Sequence, residues 1–450
     1  MNTPICDFVR EYAAGSPVRM HMPGHKGASI LGMEHLDITE INGADSLYEA
    51  NGIIARSEAN ASVLFGCRTY YSTEGSSQCI RAMLYLITVY AKQHGRNPLI
   101  AAGRNAHKTF LTAAALLDLD VDWLYPERNA SYLSCDLTPS ELDRYLGTAE
   151  NKPVAVYVTS PDYLSCIADV QGLADVCHRH GVLLAVDNAH GAYLRFLPES
   201  VHPMDLGADL CCDSAHKTLP VLTGGAYLHL SAQMEEELGA QAKNALMIFG
   251  STSPSYLILQ SLDAANPHLA DYPARLGQQL PVIRAFRETL LQHGYTLYGT
   301  EPLKVTIEAK PFGYTGIQLA ELLRRLNIEA EYADPDHLVL MLSPETDMDD
   351  LNRLERALCS IPQKAPISEA PPGFMRGTKV LGIREAMLSA SEVLPVGQCV
   401  GRVVAVPTVG CPPAVPILIC GERIDAHALE CFGYYGIDTC CVVKTEQEII

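Results

Sequence analysis

Three observations predict an α/β fold with a mostly parallel sheet, then a small α+β domain and a C-terminal extension. Between Ala61 and Asp263, short buried-type strands alternate with helical apolar periodicity. After Ala264 the pattern changes to helix, strand, helix and paired strands. A proline-rich linker, Ile361 to Pro372, then separates a last segment. At 450 residues the chain is too long for one small core.

Residues 1–60 read as an N-terminal arm, rich in Gly, Pro, His and Asn, with turn signals at Pro23-Gly24 and Asn51-Gly52. The large domain spans 61–263. Its first helix, Cys79 to His94, repeats apolar residues at Ile80, Met83, Leu84, Ile87 and Ala91, with Ser76 and Ser77 where N-caps sit. Val154 to Val158 is a buried-type strand running into Ser160-Pro161-Asp162-Tyr163. A helix from Leu173 to His180, stopped by Gly181, leads to a strand at Val182 to Val186 that ends in Asp187. Leu210 to Cys212 is a short strand, and Gly224 to His229 reads as a returning one. In the small domain, 264–361, helix Pro281–His293 precedes strand Lys304–Glu308 and amphipathic helix Thr315–Leu326. Strands at Glu331–Tyr332 and His337–Leu342 follow, and helix Met348–Leu358 closes the unit. Residues 373–450 carry strand-like runs at Val400–Val406 and Val415–Cys420.

The chemistry concentrates at two strand ends. Asp187 closes one apolar strand, and Ser214, Ala215, His216 and Lys217 follow the next. An acid and a lysine at neighbouring strand ends are what pyridoxal 5′-phosphate (PLP) chemistry requires. The amine forms a Schiff base with the cofactor aldehyde, and the carboxylate keeps the pyridine nitrogen protonated so that the ring accepts electrons. A phosphate wants hydroxyls and a helix N-terminus, which Ser72-Thr73-Glu74-Gly75-Ser76-Ser77-Gln78 offers. Parallel strands place such residues at their carboxyl ends, where open α/β sheets bind ligands.

Four motifs then fall in order: Met22-Pro23-Gly24-His25-Lys26-Gly27, Arg104-Asn105-Ala106-His107-Lys108, Asp187-Asn188-Ala189-His190-Gly191 and Ser214-Ala215-His216-Lys217. Together they resemble the fold-type-I ornithine/lysine/arginine decarboxylase family, from about Pro4 to Asp263. The likeness continues more thinly through Gly382-Ile383-Arg384-Glu385-Ala386 and Pro412-Pro413…Gly421-Glu422. The length is similar to the short bacterial form, which lacks an N-terminal wing domain. The resemblance implies an aspartate-aminotransferase-like large domain and PLP-dependent decarboxylation of a basic amino acid, arginine first, in polyamine biosynthesis. It assigns catalysis to Lys217, Asp187 and His107, with His107 stacked on the cofactor ring and Ala189 against its other face. Gly75, Ser76, Ser77, His190, Ser214 and His216 complete the cofactor site. Ser251 and Thr252 resemble a segment that reaches the partner's phosphate in a homodimer, although a helix N-cap before Tyr256 is the plainer use.

Two departures bear on the substrate. Asn188 stands where the family usually has Glu, and Asp162 stands where Thr often precedes the Tyr. Cys411-Pro412-Pro413-Ala414 also departs from the family's aromatic–Pro–Pro–Gly. Acids available to a cationic side chain are Asp45, Glu49, Asp162 and Glu422. An aminotransferase or lyase reaction would instead employ an arginine such as Arg376, Arg384 or Arg402, and a non-catalytic PLP-binding homologue is a further alternative. The net charge of −19 argues against nucleic acid. The N-terminus carries no secretory pattern, and apolar stretches are too short for a bilayer, so a cytoplasmic location is expected. Fifteen irregularly spaced cysteines without a C-x-x-C read as reduced core residues, and no metal cluster is evident.

Overall fold

The computed structural model describes residues 1–127, 131–373, 376–407 and 413–445. In chain order the strands are β1 (Arg68–Ser72), β2 (Ile100–Gly103), β3 (Val121–Leu124), β4 (Ala155–Thr159), β5 (Leu183–Asp187), β6 (Leu210–Asp213) and β7 (Ala226–Leu230). Then follow β8 (Thr296–Tyr298), β9 (Lys304–Glu308), β10 (Tyr332–Ala333), β11 (His337–Met341), β12 (Thr378–Lys379), β13 (Ser391–Pro395), β14 (Glu422–Arg423) and β15 (Thr439–Val443). The chain forms two compact units: Met1–Pro98, Asp143–Ser160 and Asp169–Gly277 make the first, and Leu99–Leu142, Pro161–Ala168 and Gln278–Ile450 the second.

In the first unit the strands lie in the order β1-β7-β6-β5-β4. β4, β5 and β6 are parallel, whereas β7 returns antiparallel to both β6 and β1. β5 is buried along its whole length, as its unbroken Leu-Leu-Ala-Val run requires of a strand covered on both faces. The register sets Thr159 beside Asp187 and Asp187 beside Cys212, so polar groups gather at the carboxyl ends. Helix Gly75–Gln93 starts four residues before the expected Cys79. Gly75, at φ +70°, turns the chain into the helix, and Glu74 is the N-cap residue without a side-chain cap bond. Ser76 and Ser77 therefore lie inside the first turn and are not the caps their composition suggested. Gly224 cannot be replaced without rearrangement: at φ +99°, an added Cβ would lie 2.9 Å from the Thr73 carbonyl oxygen. Its own carbonyl accepts the Gly75 N–H at 2.7 Å.

The stretch read as an arm includes helix Pro4–Ala14. The N–H groups of Ile5 and Cys6 donate to the buried Asp263 carboxylate, each at 2.9 Å. Helix Ile53–Phe65 begins where Asp45 accepts the N–H groups of Gly52 and Ile54.

The second unit holds the parallel pair β2–β3 and a four-stranded antiparallel sheet, β10-β11-β9-β8. Helix Gly316–Arg325 opens with a Thr315/Gln318 capping box, and Asp347 caps helix Met348–Cys359. The proline-rich linker is irregular, pinned where the Lys364 and Ile367 N–H groups donate to Phe312 and Lys310 carbonyls. The two strands expected near the C-terminus do not form. Val403 and Val404 make only isolated bridges, and Val415–Cys420 is buried without a ladder. Pro416 interrupts that run, and the carbonyls of Pro416 and Ile417 bond the Arg104 guanidinium instead. The pairs actually formed are β12–β14 and β13–β15. Val415, Ile417 and Leu418 pack with Tyr132, Phe432, Cys440 and Val442 in a core shared with Tyr332 of β10 and Val339 of β11. Cys411 and Pro412 lie outside the described residues.

None of the fourteen cysteines among the described residues forms a disulfide. No helix among the described residues is long and apolar enough to cross a membrane.

Candidate active site

Asp187 sits at the carboxyl end of β5, 2% exposed. Its Oδ2 accepts the Tyr157 hydroxyl at 3.0 Å, and its Oδ1 accepts the Ala189 N–H at 3.2 Å. Burial pushes this carboxyl up from its usual range, while the nearby Lys217 charge and the Tyr157 hydroxyl pull it down. A buried acid in this balance favours a cationic partner. Lys217 follows β6 in a single helical turn, Ala215–Thr218, and remains exposed. Its Nζ lies 3.0 Å from Nε2 of the buried His190.

Around the start of helix Gly75–Gln93, the Ser214 hydroxyl donates to Ser76 Oγ at 2.7 Å. His216 Nδ1 bonds the Gly225 carbonyl at 3.0 Å, and its Cε1 is the atom nearest an added Cβ on Gly75, at 4.0 Å. Burial, joined by the Lys217 charge, lowers the His216 pKa and favours neutral imidazole. Gly75, Ser76, Ser214 and His216 are thus brought together, with Ser77 in the same first turn. Ser251 and Thr252 are exposed in the loop before helix Tyr256–Ala270, and its N-cap bond is made by Ser255. Ser251 instead donates its N–H to Glu74.

Asn188 is bonded within the fold. Its side-chain amide donates at 2.7 Å to Asp213 Oδ1, and both residues are fully buried. Asp213 Oδ2 bonds His202 Nε2 at 3.1 Å and His229 Nε2 at 3.0 Å. Asn188, expected to bear on substrate choice, is thus engaged with Asp213.

In the second unit His107 is the N-cap of helix Lys108–Leu117, its Nδ1 accepting the Thr109 N–H at 3.1 Å. That bond fixes the ring's proton on Nε2 in the neutral form. Three of the four acids expected to meet a cationic substrate have structural partners. Asp45 caps a helix in the first unit. In the second unit Asp162, 3% exposed, accepts the Cys166 N–H at 2.8 Å, and burial raises its pKa to about 7. Glu422 accepts the Ile419 N–H at 2.8 Å and lies 3.9 Å from buried Arg104. Only Glu49 of the four is exposed. Arg384 donates to the carbonyls of Ala115 and Leu116, Arg402 to Glu392, and Arg376 lies over the Tyr125 ring.

Sequence reasoning missed Tyr157, Asp213, His202 and His229. A tyrosine inside an apolar strand was the available signal for the first, since a buried hydroxyl needs a partner. The others are joined only by the fold.

Residues 3–289 match the Orn/Lys/Arg decarboxylase major domain. The chain belongs to that family, as the ordered motifs implied. Among curated relatives, the arginine decarboxylase of Bacillus subtilis is 29% identical over 458 residues, covering 94% of this chain and 91% of that protein. The arginine decarboxylase of Halalkalibacterium halodurans is 28% identical, covering 95% and 92%. The fold is that of the Francisella novicida lysine decarboxylase structure, with a TM-score of 0.79 at 17% identity, covering 98% of this chain and 81% of that one.

Proposed function

We propose that the protein is a PLP-dependent decarboxylase of a basic amino acid, arginine before lysine and ornithine, working as a homodimer in the cytoplasm. The observation that carries this reading is the buried Asp187 carboxyl at one strand end with Lys217 exposed beyond the next. The residues present fit the cofactor. Asp187 is a buried acid that favours a cation, which a protonated pyridine nitrogen supplies. Gly75, Ser76, Ser214 and His216 surround a helix N-terminus suited to a phosphate. When bound, PLP supplies an electron sink for the bond broken at the substrate Cα.

The chain's own groups supply the rest. Lys217 would supply the amine that holds the cofactor. His190 Nε2, 3.0 Å away, orients that amine and shares its proton. Asp187, fixed by Tyr157 and Ala189, holds its negative charge where positive charge must be kept during reaction. His107 is proposed to lie on the cofactor ring, its neutral tautomer fixed by Thr109. Arginine as first substrate is supported by the arginine decarboxylases at 28–29% identity. Purified protein supplied with PLP should release CO2 from arginine faster than from lysine or ornithine. Preference for a neutral or acidic amino acid over all three would overturn the substrate reading.

A further inference from the structure

The fully buried cluster of Asn188, Asp213, His202 and His229 has no part in the chemistry above, yet it adjoins both of its ends. Asn188 directly follows Asp187, and Asp213 directly precedes the Ser214–Lys217 segment. The Asn188 amide donates to Asp213 Oδ1 at 2.7 Å. The backbone repeats the link one residue earlier, where the Asn188 N–H donates to the Cys212 carbonyl at 3.0 Å. Behind Asp213, His202 and His229 bond its other oxygen, and Phe65 packs against both rings, 5.7 and 4.7 Å between centroids. His202 Nδ1 accepts the Met204 N–H, and His229 Nδ1 lies 3.0 Å from the Thr69 hydroxyl. Each histidine is thereby fixed at both nitrogens.

We propose that Asn188 and Asp213 are positioning residues that set the spacing between the Asp187 carboxylate and Lys217. This rests on the PLP reading above. An ionised Asp213 only accepts hydrogen bonds, so residue 188 must present a donor. A carboxylate at 188 would meet a second buried carboxylate, and the two strand ends would be pushed apart. An amide closes the link with a charge-assisted bond at a site closed to solvent. The departure Asn188 is thus matched to Asp213, not to the substrate. The effect on Lys217 is indirect, through three intervening residues of a short turn.

The test titrates the full-length, cofactor-free chain with PLP and records its affinity, visible absorbance and thermal midpoint. Asn188→Asp should weaken PLP affinity at least about ten-fold, the size expected for a lost charge-assisted bond plus like-charge contact. Its absorbance spectrum should also change. The exchange Asn188→Asp/Asp213→Asn, which swaps donor and acceptor, should restore affinity to within about three-fold of the parent. Asn188→Ala removes the donor without adding charge and should fall between them, which keeps the test decisive if Asn188→Asp does not fold. Unchanged PLP affinity and spectrum in the folded single variants would overturn the proposal, even if their thermal midpoints drop. So would an exchange variant no better than Asn188→Asp. If the parent chain itself takes up no PLP, the functional reading fails first, a result distinct from failure in the variants alone.

Discussion

Asp187 and Asp213 end neighbouring strands of one sheet, both nearly or fully buried, yet their surroundings push them in opposite directions. Burial raises Asp187, opposed by Lys217, one hydroxyl and one N–H. Burial would raise Asp213 too, but His202 and His229 hold it well below the usual carboxylate range. The first acid is left wanting a cation, and the second already has its partners. Depth in the fold does not distinguish these two acids; the partner set does.

Three substitutions sharpen that contrast, beginning with the largest loss. Lys217→Ala should lower CO2 release by about 1,000-fold or more, because no other group would replace the amine proposed to hold the cofactor. Asp187→Asn should lower kcat by about 100-fold or more, since it removes the charge proposed to face the ring nitrogen, while unfolding of the cofactor-free chain changes less. Asp213→Asn should show the opposite balance. It removes a charge between two buried histidines and should cost about 3–5 kcal/mol in denaturant unfolding of the cofactor-free chain. An Asp187→Asn variant that loses as much stability as Asp213→Asn would break the comparison.

The contrast also has a pH signature. Asp213 is lowered, so its contribution is present above the ordinary Asp value of 3.8 and is lost as pH falls through its folded value. Burial works against protonated His229, but the Asp213 charge wins and raises its pKa. Its contribution is therefore present below the ordinary His value of 6.5 and is lost as pH rises past its folded value. The parent's stability advantage over Asp213→Asn should be largest between about pH 4 and 6.5 and shrink on both sides. Asp162 supplies the smallest effect, with the sign reversed. Its pKa is raised to about 7, so the folded chain holds a proton that the unfolded chain loses near 3.8, and stability falls with pH across that interval. Asp162→Asn should gain in thermal midpoint relative to the parent between pH 4 and 7, and a constant difference would contradict this.

Strands β4, β5 and β6 were legible because each is a short, mostly apolar run between punctuating residues, whereas β1, Arg-Thr-Tyr-Tyr-Ser, was not expected. β4, β5 and β6 lie within one residue of their expected bounds. The placement of Asp187 and the Lys217 segment at neighbouring strand ends was legible for the same reason, because parallel strands deliver their last residues to one edge. Less could be read where the partner is distant in sequence. The fate of Asn188 depends on Asp213, and that of Asp162 and Glu422 on backbone N–H groups that only the folded loops supply. The C-terminal strands misled for a related reason. Val415–Cys420 is as apolar as a strand, but its carbonyls bond Arg104, whereas β15 hides its alternation behind adjacent Cys440 and Cys441.

The most direct measurement reduces the PLP-loaded protein with borohydride and maps the modified peptide by mass spectrometry. The account predicts a pyridoxyl group on Lys217, in the peptide carrying Ser214-Ala215-His216, and its loss in Lys217→Ala. Labelling of another lysine, or of none, would contradict the central assignment.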